Sequence, residues 1–160
     1  MKDVQVKKHS LPYRKGVQAY IIKDNKILIV TEIEFPKFWK VPSGGMDPGE
    51  KPEETVKREM HEELNIHIDI IKKCSFKNKY YWPDNVVKRS GYKYKGQEQY
   101  IFIAQMKEGE KIKHNQKEIK SCKWIKFREI NKYFSIDSQK KMAVKVLNEY
   151  KRLKKNNLIK

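Results

Sequence analysis

SGGMDPGEKPEETVKREMHEELNI, Ser43 to Ile66, is the stretch around which the rest of this 160-residue chain is arranged. Its front is a turn: Gly44 and Gly45, then Asp47-Pro48-Gly49, a combination that ends any preceding element. Pro52 suits the first turn of a helix, where its missing N–H costs little. Glu50, Glu53 and Glu54 crowd the start of that helix, where the positive end of the helix dipole favours acids. Val56, Met60 and Leu64 recur at i, i+4 and i+8 and define a core face. Glu59, Glu62 and Glu63 share another face, within an arc of about 100°.

Three carboxylates on one face repel, and a fold gains nothing by gathering them unless positive charge sits among them. A hard cation with oxygen ligands fits, and Mg²⁺ is bound by one or two carboxylates plus substrate phosphates. The plainer alternative is a solvated, glutamate-rich surface helix with Lys51, Lys57 and Arg58 as counter-charges. Residue types alone leave both readings open.

Spacing separates them. Gly44, five residues, Glu50, seven residues, then Arg58-Glu59-Met60-His61-Glu62-Glu63-Leu64-Asn65-Ile66 resembles the Nudix box, agreeing at eight of its nine fixed positions. The departure is Asn65 in place of a glycine, and Asn is the commonest other residue at a left-handed helix end. The resemblance implies a pyrophosphohydrolase of nucleoside diphosphates linked to a further group.

Composition sets the bounds. One hundred and sixty residues read as a single domain over 1–160, long enough to bury a core. No run of 18 apolar residues is present, so no membrane span or membrane partner is expected. The first residues lack an apolar secretion signal, and Cys74 and Cys122 have no CxxC spacing, so a soluble, cytoplasmic protein with buried free thiols is expected. The net charge is +17 from 37 Lys and Arg against 20 Asp and Glu, yet seven of those acids lie within residues 47–63. An acidic spot in a basic field attracts and focuses polyanions, nucleic acid or polyphosphate. Scattered lysines of a lysine-rich composition are the ordinary alternative.

Along the chain, residues 1–12 read as a loose basic arm. Lys15–Thr31 reads as a hairpin turning at Asp24-Asn25. Trp39 leads into the box as core or pocket wall. Strands are expected at Ile66–Lys73, within the aromatic and lysine-rich Ser75–Tyr100, at Ile101–Met106 and at Lys123–Phe127. A C-terminal helix is expected over Ser138–Lys154, fraying in its basic last turns. Strands bracketing one helix and ending in another predict an α/β fold, a Nudix-type α/β/α sandwich with a mixed sheet.

The resemblance extends over roughly residues 13–150. Tyr13-Arg14-Lys15-Gly16-Val17, Trp39-Lys40-Val41-Pro42, Tyr80-Tyr81-Trp82-Pro83, Gly96-Gln97-Glu98-Gln99, and Glu118 ahead of Cys122-Lys123-Trp124 resemble one branch of the family. That branch holds RNA pyrophosphohydrolases and diadenosine tetraphosphate hydrolases. The resemblance implies that Glu59, Glu62, Glu63 and Glu118 bind Mg²⁺, with Mn²⁺ as a substitute. Arg58 would orient a box glutamate, Arg14 would contact the phosphate chain or first nucleotide, and Tyr80 would stack on a base. Gln97 and Gln99 would shape the substrate site, and Lys79, Lys93 or Lys95 could clamp leaving phosphates. Glu62 is the first choice for the base, Glu59 the second. His61 reads as surface. The implied partner is a nucleotide polyphosphate or an RNA 5′ end. Two alternatives stay open: a hydrolase of another nucleoside diphosphate derivative, and a non-catalytic nucleotide- or RNA-binding module on this fold, which would usually have lost a box glutamate.

Overall fold

The computed structural model describes residues 8–159. Strands β1 (Tyr13–Lys23) and β2 (Lys26–Glu32) form the expected hairpin. Asp24 and Asn25 between them have φ of 51° and 59°, the left-handed pair that a two-residue hairpin turn needs. The three-residue β3 (Ser43–Gly45) lies antiparallel on β1 and hands over to helix α1 (Pro52–Leu64). Pro52 sits at the helix start, and Asn65 ends the helix in the left-handed conformation, φ 55° and ψ 39°. The asparagine thus does the work of the expected glycine.

Strand β4 (Ile68–Tyr81), the short helix α2 (Asp84–Arg89), β5 (Gly96–Met106) and β6 (Ile119–Lys126) follow. A 3-10 turn at Phe127–Glu129 leads into the one-turn α3 (Ile130–Tyr133), and the chain finishes in α4 (Asp137–Lys155). The sheet order is β4-β5-β1-β2-β6, with β3 added to β1. β1 and β5 are parallel and the other pairs antiparallel, so the sheet is mixed.

Alternation along the central strands feeds two cores. Val17, Ala19 and Ile21 of β1 pack with Leu28, Val30 and Phe102 beneath Val56, Met60 and Leu64 of α1. Tyr20, Ile22, Ile27, Ile101 and Ile103 face the other way, against Ala143, Val146, Leu147, Tyr150 and Leu153 of α4. The three α1 residues are fully buried, each worth about 1.5–3 kcal/mol of transfer free energy. The α/β/α layering is the one expected. Cys74 is buried, Cys122 half-buried, and both are free thiols. Among the described residues no helix is long and apolar enough to cross a membrane.

Several boundaries differ from the sequence reading. β4 runs to Tyr81 and β5 starts at Gly96, because their antiparallel ladder continues from Ile68↔Met106 to Tyr81↔Gly96 through the lysine-rich stretch. Neighbouring strands supply hydrogen bonds there that polar composition does not advertise. The turn expected at Pro83–Asn85 is the cap and first turn of α2. α4 ends at Lys155, one residue beyond the expected end, with Leu153 of its last turns buried. Of the expected basic arm, residues 1–7 lie outside the described residues. Residues 8–10 are helical, and Lys8 Nζ donates to the Trp82 carbonyl at 2.8 Å and to Asp84 Oδ1 at 2.9 Å.

Candidate active site

Arg58 is the organising side chain of α1's outer face. Its Nε donates to Glu50 Oε2 at 2.7 Å and its Nη2 to Glu50 Oε1 at 3.0 Å, a bidentate pair. Nη1 donates to Glu59 Oε1 at 2.9 Å and to Glu62 Oε2 at 3.0 Å, and Nη2 also reaches the Gly45 carbonyl at 2.9 Å. One guanidinium therefore fixes β3, the preceding loop and two carboxylates of the helix. Glu50 accepts two more bonds, from Thr55 Oγ1 at 2.6 Å and the Asp47 N–H at 3.1 Å. With Arg58 as the main cause and Thr55 next, its pKa is held down at about 2. The sequence marks Glu50 only as a box residue and an acid at the helix start. Its fixed distance from Arg58 was the available signal for this pairing.

The two glycines of β3 let two groups approach. A methyl group at Gly44 would overlap the Glu59 carboxylate, and one at Gly45 would overlap the Arg14 guanidinium. Glu59 and Arg14 thus press against adjacent glycines. Arg14, Gln97 and Tyr80 form one cross-strand row, since Arg14 pairs with Gln97 on β5 and Gln97 with Tyr80 on β4. The Tyr80 hydroxyl donates to Gln97 Oε1 at 2.9 Å while the residue stays 43% exposed. Gln99, in the adjoining row, is buried and accepts from Asn78 Nδ2 at 2.9 Å.

Glu63 is the anomaly. It is buried, 9% exposed. Burial and the like charges of Glu59, Glu118 and Glu32, opposed by Lys40, push its pKa up to about 9. Burial also raises Glu59, against the pull of Arg58. Glu118 arrives from the loop before β6. The Ile33 N–H donates to the Glu118 carbonyl at 2.9 Å where the β2–β6 register shifts at Thr31/Glu32. Lys40 Nζ donates to Glu32 Oε1 at 2.7 Å. The Glu32–Lys40 pair has no signal in local spacing, because the Val30↔Lys40 bridge brings the two together.

These groups suit a divalent cation. The donors are carboxylate oxygens, the set that Mg²⁺ and Mn²⁺ prefer. Burying Glu63 among acids is unfavourable without a further positive charge. Among the described residues no three such side chains already surround one point; Glu59 and Glu62 each lend an oxygen to Arg58. Carboxylates on one side of β3 and Arg14 on the other can grip a polyphosphate from both sides. His61 is exposed, and a depression of about 490 Å³ lined by Lys23, Asp24, Glu108 and Lys154 lies at the opposite strand ends.

Fold and site together are those of a hydrolase of phosphoanhydrides. The chain belongs to the Nudix family: the model of the NUDIX domain matches residues 12–146. Nudix hydrolases act on phosphorus-containing anhydrides and generally use divalent metal ions. An RNA pyrophosphohydrolase of Pelagibacter ubique is 36% identical over 131 residues, covering 77% of this chain and 82% of that one. One of Bartonella henselae is 30% identical over 167 residues, covering 93% and 96%. Among solved structures, an Ap4A hydrolase of C. elegans superposes with a TM-score of 0.69 at 18% identity, covering 86% of this chain and 97% of that one. This last likeness shows the fold.

Proposed function

We propose that the protein is a metal-dependent pyrophosphohydrolase that opens a phosphoanhydride in 5′-polyphosphorylated RNA or a dinucleoside polyphosphate, with RNA preferred. The observation that carries it is the buried Glu63 under the like charges of Glu59 and Glu118, together with Glu59 and Arg14 pressed against the adjacent Gly44 and Gly45. The RNA preference is supported by the net charge of +17 and by the relatives named RNA pyrophosphohydrolase. The two cores share one sheet, which supports reading residues 1–160 as one domain.

Glu59, Glu62, Glu63 and Glu118 would hold Mg²⁺ or Mn²⁺, which when bound supplies charge neutralisation on the phosphate oxygens and a more acidic water. The protein's own residues do the rest. Arg58 fixes one oxygen each of Glu59 and Glu62 and leaves the other free to face the site. Glu62, whose side chain is 55% exposed, has an oxygen beyond the one on Arg58 and takes the proton of the attacking water. Glu59 is the second candidate for that proton. Arg14 holds the phosphate chain as a point of positive charge over Gly45. Tyr80 offers its ring to a base, with its hydroxyl anchored on Gln97, and Gln99 backs that wall.

The test compares two substrates with Mg²⁺ at low and moderate salt: release of pyrophosphate or phosphate from triphosphorylated RNA, and ATP production from diadenosine tetraphosphate. RNA should be cleaved faster, with a rate that falls as salt rises. Faster, salt-insensitive cleavage of the dinucleotide would overturn the RNA preference. Binding of both without cleavage of either would make the protein a nucleotide-binding module.

A further inference from the structure

The residues that alternate with the Arg14–Gln97–Tyr80 row point to the other face of the sheet, and there the same three strands build a second surface. Tyr13 and Tyr81 flank Gly96 in the register, and their rings stand 5.7 Å apart. Lys79 and Lys95 hold their ammonium groups 4.8 and 4.7 Å from the Tyr13 ring centre. Two residues further along, Lys77 pairs with Tyr100, and Lys73 and Lys77 stand 4.8 and 4.6 Å from the Tyr100 ring. Lys8 lies 5.9 Å from the Tyr81 ring. Tyr81 is 53% exposed, and Lys73, Lys77 and Lys79 are exposed too.

The charge balance is positive. Glu98 lies 3.3 Å from Lys77 and 3.7 Å from Lys79, Glu53 lies 3.2 Å from Lys73, and Asp84 lies 2.9 Å from Lys8. Those three acids meet five lysines, and exposed Lys15, in the Glu98 row, adds another. Lys79 belongs to this surface by its register and Lys95 by its contact with the Tyr13 ring. Position ties the two surfaces together. Tyr13 directly precedes Arg14, so a chain leaving Arg14 at the strand ends meets the tyrosine pair next.

We propose that this surface binds the single-stranded RNA downstream of the 5′ polyphosphate, with bases against Tyr13, Tyr81 and Tyr100 and backbone phosphates on Lys73, Lys77 and Lys79; the inference rests on the RNA reading above. Aromatic faces interleaved with cations accept any unpaired base by stacking and any backbone by charge. An acidic protein would use the lysines and leave the exposed Tyr81 ring without a role. If the lysine stems merely shield the rings from water, RNA binding is indifferent to the patch.

The experiment measures fluorescence anisotropy of a 5′-hydroxyl RNA of about a dozen nucleotides on the full chain and on the double variant Lys77→Ala/Tyr81→Ala. Hydrolysis of a triphosphorylated RNA of the same length and of a triphosphorylated dinucleotide runs in parallel. The variant should bind the 5′-hydroxyl RNA about tenfold more weakly, with a salt slope shallower by about 0.7. KM for the long substrate should rise to match, with kcat and the dinucleotide kinetics unchanged. Equal RNA affinity in the two proteins, or one KM for both substrate lengths in the unmodified chain, would overturn the proposal. So would unchanged RNA binding alongside lost binding of polyglutamate, which assigns the patch to an acidic protein. Failure of the RNA pyrophosphohydrolase reading looks different: neither substrate is hydrolysed, while the anisotropy contrast persists and still supports the surface.

Discussion

Helices α1 and α4 cover opposite faces of one sheet with similar apolar stripes, yet Glu63 of one and Glu149 of the other are held in opposite ways. On α4, Glu149 pairs with Arg152 at 2.7 Å, and that bond holds its pKa below the usual carboxylate range. On α1, Glu63 is buried with acids around it and is pushed up to about 9. A carboxylate lowered by its partner is already satisfied. One raised by burial and like charge is waiting for a cation or a proton, which is why shifted groups of this kind cluster at functional sites.

The strongest way to break the contrast is Glu62→Gln. Turnover should fall at least about a hundredfold, the usual range for a lost general base, while the melting temperature barely moves. Near-normal turnover would make the outer face of α1 as ordinary as that of α4. Next comes Arg58→Ala, which strands Glu50, Glu59 and Glu62 together. Chemical denaturation should show a loss of about 2 kcal/mol, less than the roughly 3–5 kcal/mol of a fully buried pair because Arg58 is partly exposed. No loss would mean that the guanidinium holds nothing in place.

A pH series sharpens the comparison. The native pKa of Glu63 lies above its usual 4.5, so the native state binds more protons than the unfolded state between the two values. The stability of the metal-free protein therefore declines as pH rises from about 5 to 9. Glu50 has the opposite sign, its pKa being lowered to about 2, and its contribution disappears as pH falls from about 4.5 toward 2. Thermal melts without metal should be lower by several degrees at pH 8.5 than at pH 6, and Glu63→Gln should flatten that limb. A flat limb in the unmodified protein would remove the anomaly. The smallest effect is expected on α4, where Arg152→Ala should cost no more than about 0.5 kcal/mol, as exposed pairs do.

The sequence revealed most where information is local. The Val56–Met60–Leu64 stripe, the Asp24-Asn25 turn and the left-handed Asn65 each follow from neighbours a few residues apart, and all stand in the structure. The carboxylate spacing on α1 is local in the same sense, and the box spacing also carried Glu50. What stayed hidden depends on register between distant strands. Lys40 reaches Glu32 only through its bridge to Val30. Lys79 and Tyr80 are adjacent in the chain, but the sheet sends one to the tyrosine surface and the other to the Arg14 row. No periodicity within Ser75–Tyr100 announces that split.

The central claim is that Glu59, Glu62, Glu63 and Glu118 are gathered to hold divalent ions. Anomalous diffraction from crystals soaked in Mn²⁺ tests it most directly. The expected result is strong peaks bounded by those carboxylates, lost in a Glu63→Gln crystal soaked identically. An empty cluster, with Mn²⁺ bound elsewhere on the chain, would contradict it.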